Sequence, residues 1–307
     1  MSILKYLKAL SRFLLNSDYR FLVQAGFGRF NTMPDEEYLR RKFKACMGRE
    51  LNLETPVTFN EKLQWLKLYD RNPKYTMLVD KYQVREYIKD KLGEEYLIPL
   101  LGVWNDPSEI DFDALPQQFV LKCNHNSGLG MCICKDKSKL DISNVRSELR
   151  KGLKQDYYLT GREWHYKNVP KIIICEQYME DGNGLDELTD YKFFCFQGNV
   201  NCVMACTDRS SGNPKFYFFD QQWNLLRYNK RGKEASAGFT PERPENLDQM
   251  FEIASELSKD LRFSRIDLYS CGGKVYFGEI TFFPDSGFDS NFLPEADKLL
   301  GSMISLD

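Results

Sequence analysis

The segment SRIDLYSCGGKVYFGEITFFP, Ser264 to Pro284, constrains the fold more than any other part of the chain. Two runs rich in β-branched and aromatic residues meet at Cys271-Gly272-Gly273, which predicts a β-hairpin with a tight turn. Each arm carries one carboxylate. Asp267 lies among Ile266, Leu268 and Tyr269, and Glu279 among Phe277, Ile280 and Phe282. A charge in such a run must face water, pair with a cation or bind metal, because burying it bare is costly. Side chains alternate along a strand, so a hairpin can bring both carboxylates to one face. Two facing carboxylates make a Mg²⁺ site of the kind that also takes nucleotide phosphates as ligands. The other reading is a pair of water-facing edge residues, partnered by Lys274 or Arg265, and the residues alone do not choose between the two.

Upstream, YLIPLLGVW, QFVLKCN, GMCICK, KIIICEQYM, YKFFCFQGNVNCVMACT and KFYFFD read as short strands, and ENLDQMFEIASELSKDL as a helix. Strands and helices mix without regular βαβ alternation, so the fold class is α+β rather than a doubly wound parallel sheet. The first third is helical. Thr58 and Glu61 stand in capping-box spacing ahead of Phe59, Leu63 and Leu66. A second helix is predicted from Asn72-Pro73 through Tyr75, Leu78, Tyr82 and Ile88 to Gly93. The predicted organisation is a helical region over 1–95, a first lobe over 96–178 and a second over 179–307.

QFVLKCNHNSGLGMCI places Lys122 at a strand end, followed by Asn124, Asn126, Ser127, Gly128 and Gly130. Small residues let backbone N–H groups approach phosphate oxygens, and a lysine adds a point charge. The loop matches neither of the common glycine-rich phosphate motifs. Cys123, His125, Cys132 and Cys134 are spaced too tightly for the usual zinc pairs, and the two strand cysteines read as core. Glu176 emerges from the apolar run IIICEQYM, as at a hinge between lobes or as an exposed strand end. No serine or cysteine forms a recognisable triad with either histidine, and common zinc-hydrolase motifs are missing from the sequence.

A formal net charge of −2 gives no nucleic-acid signature. Residues 1–50, however, hold ten Lys and Arg against five Asp and Glu. Nine scattered cysteines, an odd number, predict reduced thiols and a cytoplasmic protein. Within residues 1–20, Ile3, Leu7, Leu10 and Leu14 share one helical face, and Lys5, Lys8 and Arg12 another. Such a helix either rests on an anionic membrane surface, here the inner face, or docks on its own domain.

Taken in order, TFNEKLQWLKLYDRNPKYTMLVDKYQVREYI, FVLKCNHNSG, GREWHYKNVPKIIICEQYM, DYKFFCFQG and RIDLYSCGGKVYFGEITFFPDSGF resemble the ATP-grasp superfamily. More closely they resemble its TupA-like branch, found among bacterial surface-polysaccharide genes, over about Leu53 to Phe288. The resemblance implies an ATP-grasp fold, two α+β lobes clasping ATP, and a carboxylate–amine ligase using ATP and Mg²⁺. It implies that Lys81 and Lys122 contact ATP phosphates and that the Asn124–Gly130 loop, with Ser127 and Gly128, covers them. Glu176 and the backbone through Tyr178 would meet adenine, Lys192 would contact phosphate, and Asp267 and Glu279 would hold Mg²⁺. Arg265 matches an arginine that steadies charge on the reacting carboxyl group.

Two departures stand out. The metal strand of the superfamily often reads Glu-x-Asn, whereas here Thr281 takes the third position, filled by its hydroxyl or by water. The ribose-binding acid is Asp186 or, as assigned here, Glu187. The implied substrates are a carboxylate, such as a uronic acid of a capsule or cell-wall glycan, and an amine, such as an amino acid. The alternatives are a glycosyltransferase using Asp111-Phe112-Asp113, a glycan phosphotransferase using the same ATP site, and a non-catalytic nucleotide-binding partner of an assembly complex.

Overall fold

The computed structural model describes residues 3–180, 189–207 and 214–307. The chain divides into two units, each drawn from separate stretches of sequence.

The first unit comprises residues 1–71, 158–164 and 283–307. It contains α1 (Ile3–Leu15), α2 (Ser17–Gly26), α3 (Asp35–Met47) and α4 (Phe59–Tyr69). Thr58 caps α4 through the predicted box: its hydroxyl accepts from the Glu61 N–H while Glu61 reaches back to the Thr58 N–H. Phe21, Leu39, Phe43, Leu51 and Leu53 form the buried core, each side chain of this size stabilising by about 1.5–3 kcal/mol.

The second unit comprises residues 72–157 and 165–282. It begins with α5 (Lys74–Val79) and α6 (Val84–Lys91). The periodicity had predicted one continuous helix here. The chain instead turns extended at Asp80, whose carboxylate accepts from the N–H groups of Tyr82 and Gln83 at 2.9 and 3.3 Å. That side-chain capture competes with the helical ladder and restarts it at Val84.

Two antiparallel sheets follow. The smaller has the order β1-β4-β2-β3, from β1 (Leu100–Trp104), β2 (Phe119–Cys123), β3 (Met131–Cys134) and β4 (Ile173–Gln177). α7 (Ile142–Lys154) covers one face, burying Phe119, Leu121, Cys123, Cys134, Leu149 and Cys175. After α8 (Tyr158–Gly161), which belongs to the first unit, the larger sheet runs β10-β9-β5-β6-β7-β8. Its strands are β5 (Asp190–Phe196), β6 (Asn199–Thr207), β7 (Lys215–Phe219), β8 (Leu225–Leu226), β9 (Ser264–Cys271) and β10 (Lys274–Thr281). α9 (Lys230–Glu234) packs on β7, and α10 (Leu247–Ser258) packs on β5, β6 and β9. α11 (Pro294–Ser302) returns to the first unit against α4.

The cysteines are all free. Burial pushes the thiols of Cys123 and Cys132 up to about 11 and that of Cys175 to about 12, as befits inert core groups. Among the described residues no helix is long and apolar enough to cross a membrane.

Candidate active site

The hairpin predicted at the outset forms, with Cys271 paired to Lys274 across Gly272-Gly273. Both glycines have positive φ, +56° and +74°, the geometry that a two-residue turn of this hand requires. The pairing then slips by one residue: Phe277 faces Leu268, Gly278 is skipped, and Glu279 faces Asp267. Register extends the row across the sheet, from Glu279 through Asp267 and Lys192 to Met204 and Phe218. Charge is thus concentrated at one end of a single sheet face and apolar surface at the other.

Arg265, two residues before Asp267, shares that face and binds it bidentately, with Nε–Oδ1 and Nη2–Oδ2 both at 2.7 Å. The same Nη2 donates to Glu279 Oε1 at 3.1 Å and to the Thr281 hydroxyl at 3.2 Å. Lys192 Nζ lies 2.5 Å from both Asp267 Oδ2 and Asp190 Oδ2. Asp267 is 1% exposed, whereas the Glu279 side chain is 37% exposed.

The electrostatics follow. Burial pushes the Glu279 carboxyl up, but Lys81, Arg265 and Lys192 outweigh it and hold it at about 2. Burial raises the Asp267 carboxyl, and Arg265 and Lys192 pull against that rise. Burial works against the Lys192 ammonium, yet Asp267 and Asp190 raise it. Lys81 behaves oppositely, with burial lowering its pKa despite Glu279.

Lys81 also links the two sheets. Its Nζ donates to the Asn126 carbonyl at 2.8 Å and lies 3.8 Å from Glu279 Oε2. On the smaller sheet, Lys122 meets Glu176 at 2.6 Å, and the other Glu176 oxygen meets Arg85 at 3.3 Å. Val120, the partner of Glu176, lies two residues from Lys122, so these groups share the face opposite the cysteine core. Met131 and Ile133, paired with Lys122 and Val120, leave that face apolar and exposed.

The Asn124–Gly130 loop is anchored at its root and open at its tip. The Asn124 amide donates to Asp80 at 2.8 Å and to the Pro170 carbonyl at 2.7 Å, and its oxygen accepts from Ile172 N–H. Buried His125 and Asn126 bond the carbonyls of Gln155 and Gly152. Ser127, Gly128 and Leu129 are exposed. Gly130, at φ +72°, packs so closely on α7 that a Cβ would fall 2.7 Å from Cys123 Sγ and 2.8 Å from Gly152 Cα.

Tyr178 follows β4, with the Lys135 ammonium 5.9 Å from its ring. Asp186 and Glu187 lie outside the described residues. Asp111 accepts from the Asp113 N–H at 3.0 Å in an exposed turn between buried Ile110, Phe112 and Leu115. His165 is buried against Tyr166 and Phe282. In the first unit, Pro284–Gly287 holds Asp285 and Ser286 at positive φ, 46° and 55°. Lys67, 1% exposed, donates to the carbonyls of Ser286 and Gly161, each at 2.7 Å.

Sequence reasoning missed Asp80, Arg85 and Asp190. Asp190 stands two residues before Lys192 and so on its face, a signal that was available. Arg85 stands four residues after Lys81, but its partner is 91 positions away.

Oxygen donors on one face suit Mg²⁺, which is bound by one or two carboxylates completed by substrate phosphates. Among the described residues no group of three or more His, Cys, Asp and Glu is arranged to hold a metal. Glu279 Oε2 has, among the described residues, only the Lys81 ammonium near it, at 3.8 Å, whereas both Asp267 oxygens are engaged by Arg265 and Lys192. The donor set therefore fits a cation completed by phosphate and water, and not a closed protein cage.

The larger of the two antiparallel sheets ends in a carboxylate-bearing hairpin, tied through Lys81 to the loop of the smaller sheet, and the protein is a ligase of the ATP-grasp class. The chain belongs to the TupA-like ATP-grasp family, which it matches over residues 61–305. Among solved structures it is similar to D-alanine–D-alanine ligase from Helicobacter pylori, with 14% identity, TM-score 0.44, and 80% of this chain and 69% of that chain covered. It is also similar to D-alanine–D-alanine ligase from Bacillus anthracis complexed with ATP, at 16% identity and TM-score 0.44, covering 74% of this chain and 63% of that one. The ATP-grasp ligase PsnB, complexed with a phosphomimetic variant of its minimal precursor, Mg and ADP, is 11% identical at TM-score 0.40, with 79% and 66% covered. No curated protein matches the chain.

Proposed function

We propose that the protein joins a carboxylate to an amine at the expense of ATP, by way of an acyl phosphate. The carrying observation is the Asp267–Glu279 pair, set opposite one another with Arg265 between them and Lys192 on the next strand. A lobe over 96–178 and another over 179–307, after a helical region over 1–95, would enclose the nucleotide. Lys81, Lys122 and Lys192 would meet its phosphates. The exposed tip of Ser127 and Gly128 would lie over them, while Asn124 would hold the loop root and Lys81 in place through its bonds to Asp80 and Ile172. Glu176 and Tyr178 would flank adenine beside the apolar face of Met131 and Ile133, and Glu187 would bind ribose.

The substrate carboxylate attacks the γ-phosphorus and ADP leaves. Lysines and Arg265 stabilise the charge on the transferring group and on the carboxyl oxygens. Mg²⁺ held by Asp267, Glu279 and the Thr281 hydroxyl would supply further neutralisation of phosphate charge. The amine then attacks the acyl carbon, forming the amide and releasing phosphate. The surface-polysaccharide setting of the family supports a uronic acid as carboxylate and an amino acid as amine.

The test combines ATP, Mg²⁺, glucuronate and galacturonate glycosides and an amino-acid mixture, with products weighed by mass spectrometry. The expected product is a glycoside heavier by one amino acid less water, with one ADP formed per amide. A phosphorylated glycoside without amide would assign the site to phosphotransfer instead.

A further inference from the structure

The helix α1 carries the apolar stripe of Ile3, Leu7, Leu10 and Leu14. Its C-terminal half is not spent on the protein's own core: Leu10 is 43% exposed, Leu14 63% and the adjoining Leu15 85%. The helix rests on α2, with Ala9 and Phe13 half-buried, so its attachment uses a different flank. The elbow is fixed, because Arg20 of α2 donates to the carbonyls of Phe13 and Leu14 at 3.1 and 2.9 Å, and the Arg12 guanidinium stacks over Tyr19 at 4.4 Å. Leucines at a pinned helix end are a display, and a hydrophobic patch of this kind marks a contact surface.

We infer that α1 docks the enzyme on an anionic lipid surface. Charge selects this occupant. Within residues 1–20, Lys5, Lys8, Arg12 and Arg20 outnumber a single acid, Asp18, and Lys8 and Arg12 are exposed on the polar face of the helix. An amphipathic helix with leucines on one face and basic residues on its polar face lies in the headgroup plane of such a bilayer. A second copy seated symmetrically on the same face would set like charges against like. The inference is independent of the ligase reading.

The full chain is sedimented with vesicles of pure phosphatidylcholine and of phosphatidylcholine mixed with phosphatidylglycerol, at low and high salt. Binding is expected to the anionic vesicles alone and to weaken with salt. Leu10→Glu/Leu14→Glu should lower it by on the order of a hundredfold while thermal unfolding stays unchanged. Lys8→Glu/Arg12→Glu should abolish the preference for anionic lipid and provides the test should the leucine variant fail to fold. No binding, equal binding to both vesicles, or a dimer in light scattering that the leucine variant dissociates would overturn the inference.

Discussion

Asp267 and Glu279 face each other because Gly278 is bulged out between them. A regular hairpin closed by the Cys271–Lys274 pair would set Gly278 opposite Asp267 and turn Glu279 to the other face. The bulge site is tight, since a Cβ at Gly278 would lie 3.0 Å from both the Asp267 carbonyl oxygen and the Tyr269 ring. Gly278→Val should therefore cost about 1–3 kcal/mol of stability and lower ATP turnover by at least about tenfold through misplacement of Glu279. Paired thermal melts and steady-state rates check both parts.

Glu279 separates chemistry from folding better than Asp267 does, because it is partly exposed. Glu279→Gln should cost less than about 1 kcal/mol of stability and reduce ATP turnover by about a hundredfold or more. A loss of turnover that merely tracked unfolding would contradict the assignment.

The Glu176 carboxylate is shared between Lys122 and Arg85. Glu176→Gln should raise KM for ATP several-fold more than it lowers kcat, since in the proposed site it would loosen Lys122, a group that would orient the nucleotide. Initial rates over a range of ATP concentration measure the split.

Lys67 is buried with its ammonium on the carbonyls of Gly161 and Ser286. Lys67→Met should cost about 2–4 kcal/mol, because both carbonyls lose their donor and the left-handed Asp285-Ser286 pair loses its tether. Urea unfolding gives the value.

His125 gives a pH dependence with a defined sign. Burial lowers its pKa from 6.5 to about 4, so the unfolded chain binds the proton more tightly. Stability from this group is complete above about pH 6.5 and falls as pH drops toward 4. His125→Gln, which keeps a donor for the Gln155 carbonyl and does not titrate, should lose less stability than the parent between pH 7 and pH 5.

Local signals carried much of the fold. The Gly272-Gly273 turn, the Thr58–Glu61 box and the alternation in β2 and β4 are each settled by a few adjacent residues. Asp80 was hidden because the apolar spacing on either side of it is continuous, and only its carboxylate chemistry breaks the helix. A lone glycine inside a strand pattern is a bulge signal, so Gly278 was legible, but the Glu279–Asp267 pairing it produces depends on the opposite strand. Of the candidate site, Lys81, Lys192, Arg265, Asp267, Glu279 and Thr281 fall within one polar cluster and Lys122 with Glu176 within a second. Arg85 and Asp80 joined them through partners too distant in sequence for any local pattern to signal.

Hydroxylamine trapping tests the central claim most directly. With ATP, Mg²⁺ and a uronate glycoside, the enzyme should form a hydroxamate in step with ADP, and Asp267→Asn should form neither. ATP consumed with phosphate left on a hydroxyl and no hydroxamate would contradict the acyl phosphate. So would activity that ignores ATP and is lost instead in Asp111→Asn/Asp113→Asn.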